Sequence, residues 1–251
     1  MSDLSTKATA LLRMHDDFVV LPTVWDAWSA HAVVEAGFGA ISIGSHPLAD
    51  SRGQQDGEGM TLDDALDGVA RITAAVEVPV SADLESGYDT PPAELIERLL
   101  AAGAVGLNIE DTVHSEGRIR EPQEHADYIA GMRAAADAAG VDVVINARTD
   151  AFARPELHGA DPLEQAILRM ELAEQAGARS LYPVKPSGPE ALAAILERVT
   201  LPVNVTAHPI KGSVVGDLAA TKASGARRVT YGPLLQKALT ETIGELVRPW
   251  R

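Results

Sequence analysis

Five stretches of this chain share one form: AGFGAISI (36–43), AGAVGLNI (102–109), AGVDVVIN (139–146), AGARSLYP (176–183) and SGARRVTY (224–231). Each leaves an Ala-rich segment through a glycine and enters a short aliphatic run. A glycine there suits the left-handed residue that ends a helix. A short, nearly continuous apolar run suits a strand of a parallel sheet covered on both faces. Working outward from these junctions, the pattern predicts strands near 18–21, 40–44, 79–83, 106–110, 143–148, 179–184, 202–206 and 227–231. Helices are predicted between them at 28–36, 61–75, 92–102, 123–139, 161–177, 188–198, 214–224 and 234–247. Thr61 with Asp64 reads as a capped helix start, and Pro91-Pro92 opens another helix. Eight strand–helix units without a break in composition point to one (β/α)8 TIM barrel spanning residues 1–251, an α/β fold. An open doubly wound sheet is the competing architecture, but the glycine fingerprint that often marks it is missing after the first strand, in LPTVWDAWS (21–29).

Composition narrows the function. The chain has 251 residues, 46% hydrophobic, and a formal net charge of −15. Phosphate backbones would be repelled, so no nucleic-acid partner is expected. No segment approaches the ~20 apolar residues of a membrane span, and the short apolar stretch interrupted by Arg13 is not expected to act as a signal peptide. With no cysteine there is no thiolate nucleophile, disulfide or zinc–thiolate site, which fits a cytoplasmic location.

Acidic residues recur where the apolar runs end. Asp83 and Glu85 follow the third strand in PVSADLESGY (79–88), Glu110 and Asp111 the fourth in VGLNIED (105–111), and Asp56 sits in the turn GQQDGEG (53–59). In a parallel barrel the strand ends converge on one mouth. Carboxylates collected there would repel one another, and a hard cation with oxygen ligands removes the difficulty. Arg148, in INARTDAF (145–152), offers a planar fork for a substrate carboxylate or phosphonate. Gly44 and Ser45 would expose backbone amides to a second anionic oxygen. Asp26, Tyr182, Lys185, Asn204 and Tyr231 also fall at strand ends.

Each group has a plainer reading. Asp83 or Glu85 could cap a helix, as could Asp26. Arg148 could pair with Asp150 or Glu110. Gly44 could serve a tight turn, and Asn204 could be a satisfied core amide. The histidines lack HxH or HxxxH spacing, so a histidine-ligated metal is not expected. His125 is expected on the solvent face of its helix.

The order DAWSA, GQQDG, SADLESGYD, GLNIED, INARTDAF resembles the isocitrate lyase / phosphoenolpyruvate mutase superfamily from about residue 15 to about 235. ADLESGY and NIED are its specific part. The resemblance implies a (β/α)8 barrel, a Mg2+ ion (replaceable by Mn2+) and chemistry on a C–C or P–C bond beside a 2-oxo acid. It makes Asp83 the direct metal ligand and Asp56, Glu85 and Glu110 acids that hold the metal through water. Gly44 and Ser45 become substrate-carboxylate amides, Arg148 the substrate arginine and Asp26 a wall of the pocket. Family members often form tetramers that swap the last barrel helix, so a homo-oligomer, dimer or tetramer, is expected. Little chain follows the helix at 234–247, so the swap itself is not expected.

One departure bears on activity. The family's isocitrate and methylisocitrate lyases carry a lid cysteine as acid, and its mutases carry a longer lid; here the segment is EDTVHSEGRIREP (110–122). His114, Ser115 or Glu116 would have to replace the missing acid. Arg148, Glu110 and His114 are therefore the catalytic candidates. The expectation is a Mg2+-dependent lyase acting on a small 2-oxo or 2-hydroxy dicarboxylate through a metal-stabilised enolate, with oxaloacetate-type decarboxylation as the least demanding case. Hydrolysis or rearrangement of phosphonopyruvate, and a non-catalytic 2-oxo-acid-binding barrel, are the alternatives.

Overall fold

In a computed structural model, which describes residues 3–158 and 161–251, short strands alternate with helices. The strands are β1 (Val19–Leu21), β2 (Thr23–Val24), β3 (Ile41–Ile43), β4 (Val80–Asp83), β5 (Gly106–Ile109), β6 (Thr112–Val113), β7 (Arg118–Ile119), β8 (Val144–Thr149), β9 (Ser180–Pro183), β10 (Asn204–Thr206) and β11 (Arg228–Thr230). The helices are α1 (Asp3–Met14), α2 (Ala27–Glu35), α3 (Ser45–Ser51), α4 (Leu62–Ala75), α5 (Pro92–Ala101), α6 (Pro122–Ala138), α7 (Pro155–His158), α8 (Pro162–Gln175), α9 (Pro189–Leu196), α10 (Leu218–Ala223) and α11 (Leu234–Val247). The local signals act as their chemistry requires. Gly37, Gly103, Gly140, Gly177 and Gly225 all have left-handed φ, between +69° and +96°. Thr61 and Asp64 form a reciprocal capping box at the start of α4.

The parallel ladder runs β2-β3-β4-β5-β8-β9, and a second segment runs β1-β11-β10. Two links join them. β1 and β2 are one strand interrupted at Pro22, which has no N–H to offer the ladder. Leu181 of β9 forms a parallel bridge to Val203, just before β10, and its N–H donates to Pro202 O at 2.9 Å. The circuit of eight parallel strands is thus the (β/α)8 arrangement.

Alternate residues of a strand face opposite ways. Arg228 of β11 hydrogen-bonds Ser81 of β4 at 3.1 Å, between strands that are not neighbours, so both side chains lie in the barrel interior. Asn108, Asn146 and Ser180 share that interior. The intervening residues Ala82, Leu107, Ile145 and Leu181 face outward into a continuous apolar core with helix residues such as Leu66, Leu99, Ile129 and Met170. The outer layer carries the hydrophobic burial, while the inner layer is free to be polar.

Three features depart from the sequence reading. Helix α1 precedes the barrel, and its Leu11 reaches Gly106 at the start of β5, where a Cβ would stand 3.0 Å from Leu11 Cδ2. It therefore packs at the amino-terminal end of the barrel. Helix α3 and the antiparallel hairpin β6–β7 decorate the opposite end. His125, expected to meet solvent, is instead buried. Helix α6 is packed on both flanks, by α5 and α8, so its solvent face is narrower than that of an ordinary amphipathic helix.

Truncating Ile145→Ala removes a fully buried side chain from the outward layer and is expected to lower unfolding free energy by about 2–5 kcal/mol, read as a shift in the urea midpoint at unchanged slope. A change within experimental error would contradict this packing assignment.

Candidate active site

At the carboxyl ends of the strands lies a cavity of about 850 Å³. Asp56, Asp83, Glu85, Glu110 and Asp150 line it, with Arg148, His46 and His114. The four acids expected around a metal, scattered over 55 positions of sequence, thus share one wall.

Arg148 is the hub of this wall. Its Nη1 lies 2.6 Å from Glu110 Oε2 and 3.9 Å from Asp83 Oδ2. Its Nε and Nη2 donate to the two oxygens of Asp150 at 2.8 and 3.2 Å. The plainer ion-pair reading of Arg148 is therefore met, yet the guanidinium also borders the cavity. Burial works against its charge, but Glu110, Asp150 and Asp83 together hold it well above the ordinary arginine value.

The other acids are less well served. Burial pushes Glu110 up to about 8, against the pull of Arg148. Burial, with Asp56 nearby, pushes Glu85 up to about 7. Burial also raises Asp83, and Asp56 adds to the shift. In all three the largest cause is burial, which disfavours the charged carboxylate.

Two loops hold these groups in place. Glu58 N–H donates to Glu85 Oε2 at 2.6 Å, while Glu58 Oε1 accepts from Tyr88 N–H at 2.8 Å and from the Ser86 hydroxyl. Tyr88 Oη–H donates to Glu85 Oε1 at 2.9 Å. The GQQDGEG turn is thereby strapped to the turn after β4. Glu58, Glu85, Tyr88 and Asp89 all have φ between +51° and +59°, a left-handed conformation uncommon for residues with a Cβ and typical of tightly determined functional loops. The hairpin β6–β7 forms the short lid. His114, at its turn, sets Nε2 at 2.6 Å from Glu110 Oε1 and 3.8 Å from Glu85 Oε2. Burial disfavours its imidazolium, but the bond to Glu110 and the surrounding carboxylates outweigh this and raise its pKa.

Several expected residues land elsewhere or act differently. Asp26 does not line the cavity; its carboxylate accepts from Ser29 N–H at 2.7 Å in a capping box that starts α2. Asn204 is fully buried in the barrel and donates to Thr230 Oγ1 at 3.1 Å, away from the cavity wall. Asp26 follows the plainer reading; Asn204 is a core amide as that reading has it, but its Oδ1 is left without a hydrogen-bond partner. Gly44 and Ser45 do line the cavity. However, the Gly44 N–H is spent on Val24 O at 3.2 Å, so the amides left for an anionic oxygen are those of Ser45 and His46 in the first turn of α3. Gly44 is required by space: a Cβ there would stand 2.7 Å from Thr23 Cγ2 and 2.9 Å from the Pro47 ring. Asp111 does not line the cavity; it accepts from Thr149 Oγ1 at 2.7 Å, Asp150 N–H at 2.9 Å and Arg169 of α8. Glu58 and Tyr88 escaped the sequence reading as site residues, and only their neighbourhood to the acids could have flagged them; Asp150 was read only as a strand-end partner for Arg148.

The donor set fits a hydrated dication better than a preformed cage. Among the described residues no group of three or more acidic or histidine side chains is arranged to hold an ion. Glu85 and Glu110 already have both oxygens engaged, and Asp56 pairs with His46 at 3.3 Å. Asp83 has one oxygen bonded to Glu85 N–H at 3.2 Å and the other no nearer than 3.9 Å to Arg148. One freely offered carboxylate, with further acids at a distance, is how Mg2+ binds when it keeps most of its water.

Known proteins share this architecture. The chain matches the Phosphoenolpyruvate phosphomutase family over residues 9–249. It is 35% identical to a candidate phosphonomutase from Burkholderia cenocepacia J2315, whose crystal structure superposes with a TM-score of 0.86 over 96% of this chain and 99% of that one. It is 34% identical over 164 residues to 2-methylisocitrate lyase of Escherichia coli (strain K12), a match covering 61% of this chain but only 53% of that enzyme. It is 28% identical over 236 residues to oxaloacetate decarboxylase of Bradyrhizobium sp., covering 91% of this chain and 79% of that one. With a family match that runs almost from end to end, the chain belongs to the phosphoenolpyruvate phosphomutase family, within the isocitrate lyase / phosphoenolpyruvate mutase superfamily.

Proposed function

We propose that this chain cleaves a C–C bond of a small 2-oxo or 2-hydroxy dicarboxylic acid with a Mg2+ ion held at Asp83, and that decarboxylation of an oxaloacetate-like acid is its reaction. The observation that carries this reading is the gathering of Asp56, Asp83, Glu85 and Glu110 around one cavity, where Glu85 and Glu110 are buried, Arg148 stands 2.6 Å from Glu110 but 3.9 Å from Asp83, and burial raises Asp83, Glu85 and Glu110. A divalent ion there offsets their charge, and when bound it polarises a substrate oxygen as a Lewis acid. Asp83 would hold it directly; Asp56, Glu85 and Glu110 would hold it through water.

The chain's own groups divide the remaining work. Arg148 uses three of its five N–H groups on Glu110 and Asp150, leaving two for a substrate carboxylate. Being anchored from behind, it can orient the acid without reorganising. The amides of Ser45 and His46 serve a second anionic oxygen. His114, paired with Glu110, occupies the lid position where a proton donor is needed. It can protonate the carbon that carries negative charge once carbon dioxide has left, and Glu110 then supports the remaining imidazole. A lid as short as Thr112–Ile119 suits a reaction with one proton delivery. The reported similarity to an oxaloacetate decarboxylase supports the same choice.

The 35% identity to a candidate phosphonomutase favours a second reading, cleavage of the P–C bond of phosphonopyruvate. A Mg2+-supplemented screen of oxaloacetate, 2-methylisocitrate, isocitrate, dimethylmalate and phosphonopyruvate separates the two. Carbon dioxide from oxaloacetate is expected; phosphate from phosphonopyruvate without decarboxylation would favour the second reading. Tight oxalate binding without turnover of any of the five would make the chain a binding protein.

Asp83→Ala is expected to abolish Mg2+-dependent turnover, and full activity in that variant would refute the metal assignment. His114→Gln keeps the lid but removes the proton donor; kcat is expected to fall by ~10²–10⁴-fold with little change in KM. An unchanged kcat would move the acid elsewhere.

A further inference from the structure

A buried row of polar side chains crosses the barrel interior and ends on Asp83. The sheet register aligns it: Asp83 of β4 pairs with Asn108 of β5, Asn108 with Asn146 of β8, and Asn146 with Ser180 of β9. The bonds run along that line. Ser180 Oγ–H donates to Asn146 Oδ1 at 2.7 Å, and Asn146 Nδ2–H donates to Asn108 Oδ1 at 2.8 Å. Asn108 stands next to Asp83 across the β4–β5 register, and its side-chain amide pulls the Asp83 carboxyl down against the effect of burial. Ser180 and Asn146 are fully buried and Asn108 is 4% exposed.

The direction of the row follows from Asn108. Its Oδ1 is claimed twice, by Asn146 and by Arg228 Nη2 at 3.4 Å. An amide whose oxygen is held by two donors must present its N–H2 at the other end, toward Asp83. Every dipole in the row therefore points the same way, and bonds aligned like this strengthen one another in a low-dielectric interior. Arg228 adds positive charge from the same layer. It is fully buried and, among the described residues, forms no salt bridge with any carboxylate. Its second contact is the neutral Ser81 hydroxyl at 3.1 Å. A buried cation without a carboxylate partner is a costly feature to retain for packing alone.

We infer that Ser180, Asn146 and Asn108, backed by Arg228, are positioning residues: they fix the orientation in which the Asp83 carboxylate meets the cation. The inference rests on Asp83 being the direct metal ligand, as proposed above. None of these groups lines the cavity, so none is expected to touch substrate.

Two readouts test it, on the full chain with Mn2+ as the probe ion. Asn146→Leu removes the central link with little change in volume, and Ser180→Ala removes only the last hydroxyl as a milder variant. Val144→Ala, on the same strand but outside the row and fully buried, serves as the destabilised control. Mn2+ dissociation constants from electron paramagnetic resonance are expected to rise about tenfold in Asn146→Leu and several-fold in Ser180→Ala, the range for one lost hydrogen bond acting on the site. Val144→Ala is expected to lower Tm while leaving Mn2+ affinity unchanged. Crystal structures of the two row variants should show the Asp83 carboxylate rotated or in two orientations. Unchanged affinity together with an unmoved Asp83 in Asn146→Leu and Ser180→Ala overturns the inference. If the unsubstituted protein binds no Mn2+, the metal reading itself fails, and the Asp83 orientation in the variants still decides whether the row positions it.

Discussion

The structure turns on the withdrawal of several carboxylates from water at one end of a barrel. A parallel strand that is apolar on its outer face delivers every second residue to the interior, and at the carboxyl end that residue reaches the mouth. Asp83, Glu110 and Arg148 are such residues, placed by β4, β5 and β8. Once there they cannot all be paired internally. Arg148 serves Glu110 and Asp150 closely but stands 3.9 Å from Asp83. On the function proposed above, the imbalance draws a cation to the mouth and the anchored guanidinium draws an anion to the same place. A cation and a small organic acid can thus be held side by side, the condition for charge to build on an oxygen between them.

Rigidity is supplied from two directions. From above, the GQQDGEG turn and the turn after β4 hold each other through Glu58, Glu85 and Tyr88, at the expense of left-handed backbone at several non-glycine residues. From below, the polar row through Asn146 and Asn108 meets Asp83. The hairpin carrying His114 is the short element over the mouth, tied to the site by His114 against Glu110 and Glu85, by Thr112 donating to Asp150 at 2.8 Å and by Ser115 donating to Asp89 at 3.0 Å. Strain and hydrogen bonding are concentrated around the acids, while hydrophobic burial lies in the outward layer.

The architecture was legible because its signals are local. Glycine at a helix end, proline at a helix start and a run such as VVIN each have one dominant physical reading, and repeated in order they leave little choice of fold. Elements outside this punctuation were missed: α1 lies ahead of the first strand and so outside the repeating strand–helix pattern, and α3 and the β6–β7 hairpin sit in stretches that read as loop. The wall of acids was legible for the same reason as the strands, since a carboxylate that ends an apolar run is conspicuous. What the spacing could not say is which of two roles a polar group takes. Asp26 and Asn204 look alike in sequence to Asp83 and Arg148, yet a capping box claims one and the barrel interior the other. Gly44 reached the cavity with its amide already committed to Val24. Glu58 and Tyr88 matter through long-range bonds that no local pattern announces.

The account is tested most directly by anomalous diffraction from crystals soaked in Mn2+. It predicts one peak in the cavity at bonding distance from the Asp83 carboxylate, with Asp56, Glu85 and Glu110 reaching the ion through ordered water. A cavity without a peak, or an ion held away from Asp83, would contradict it.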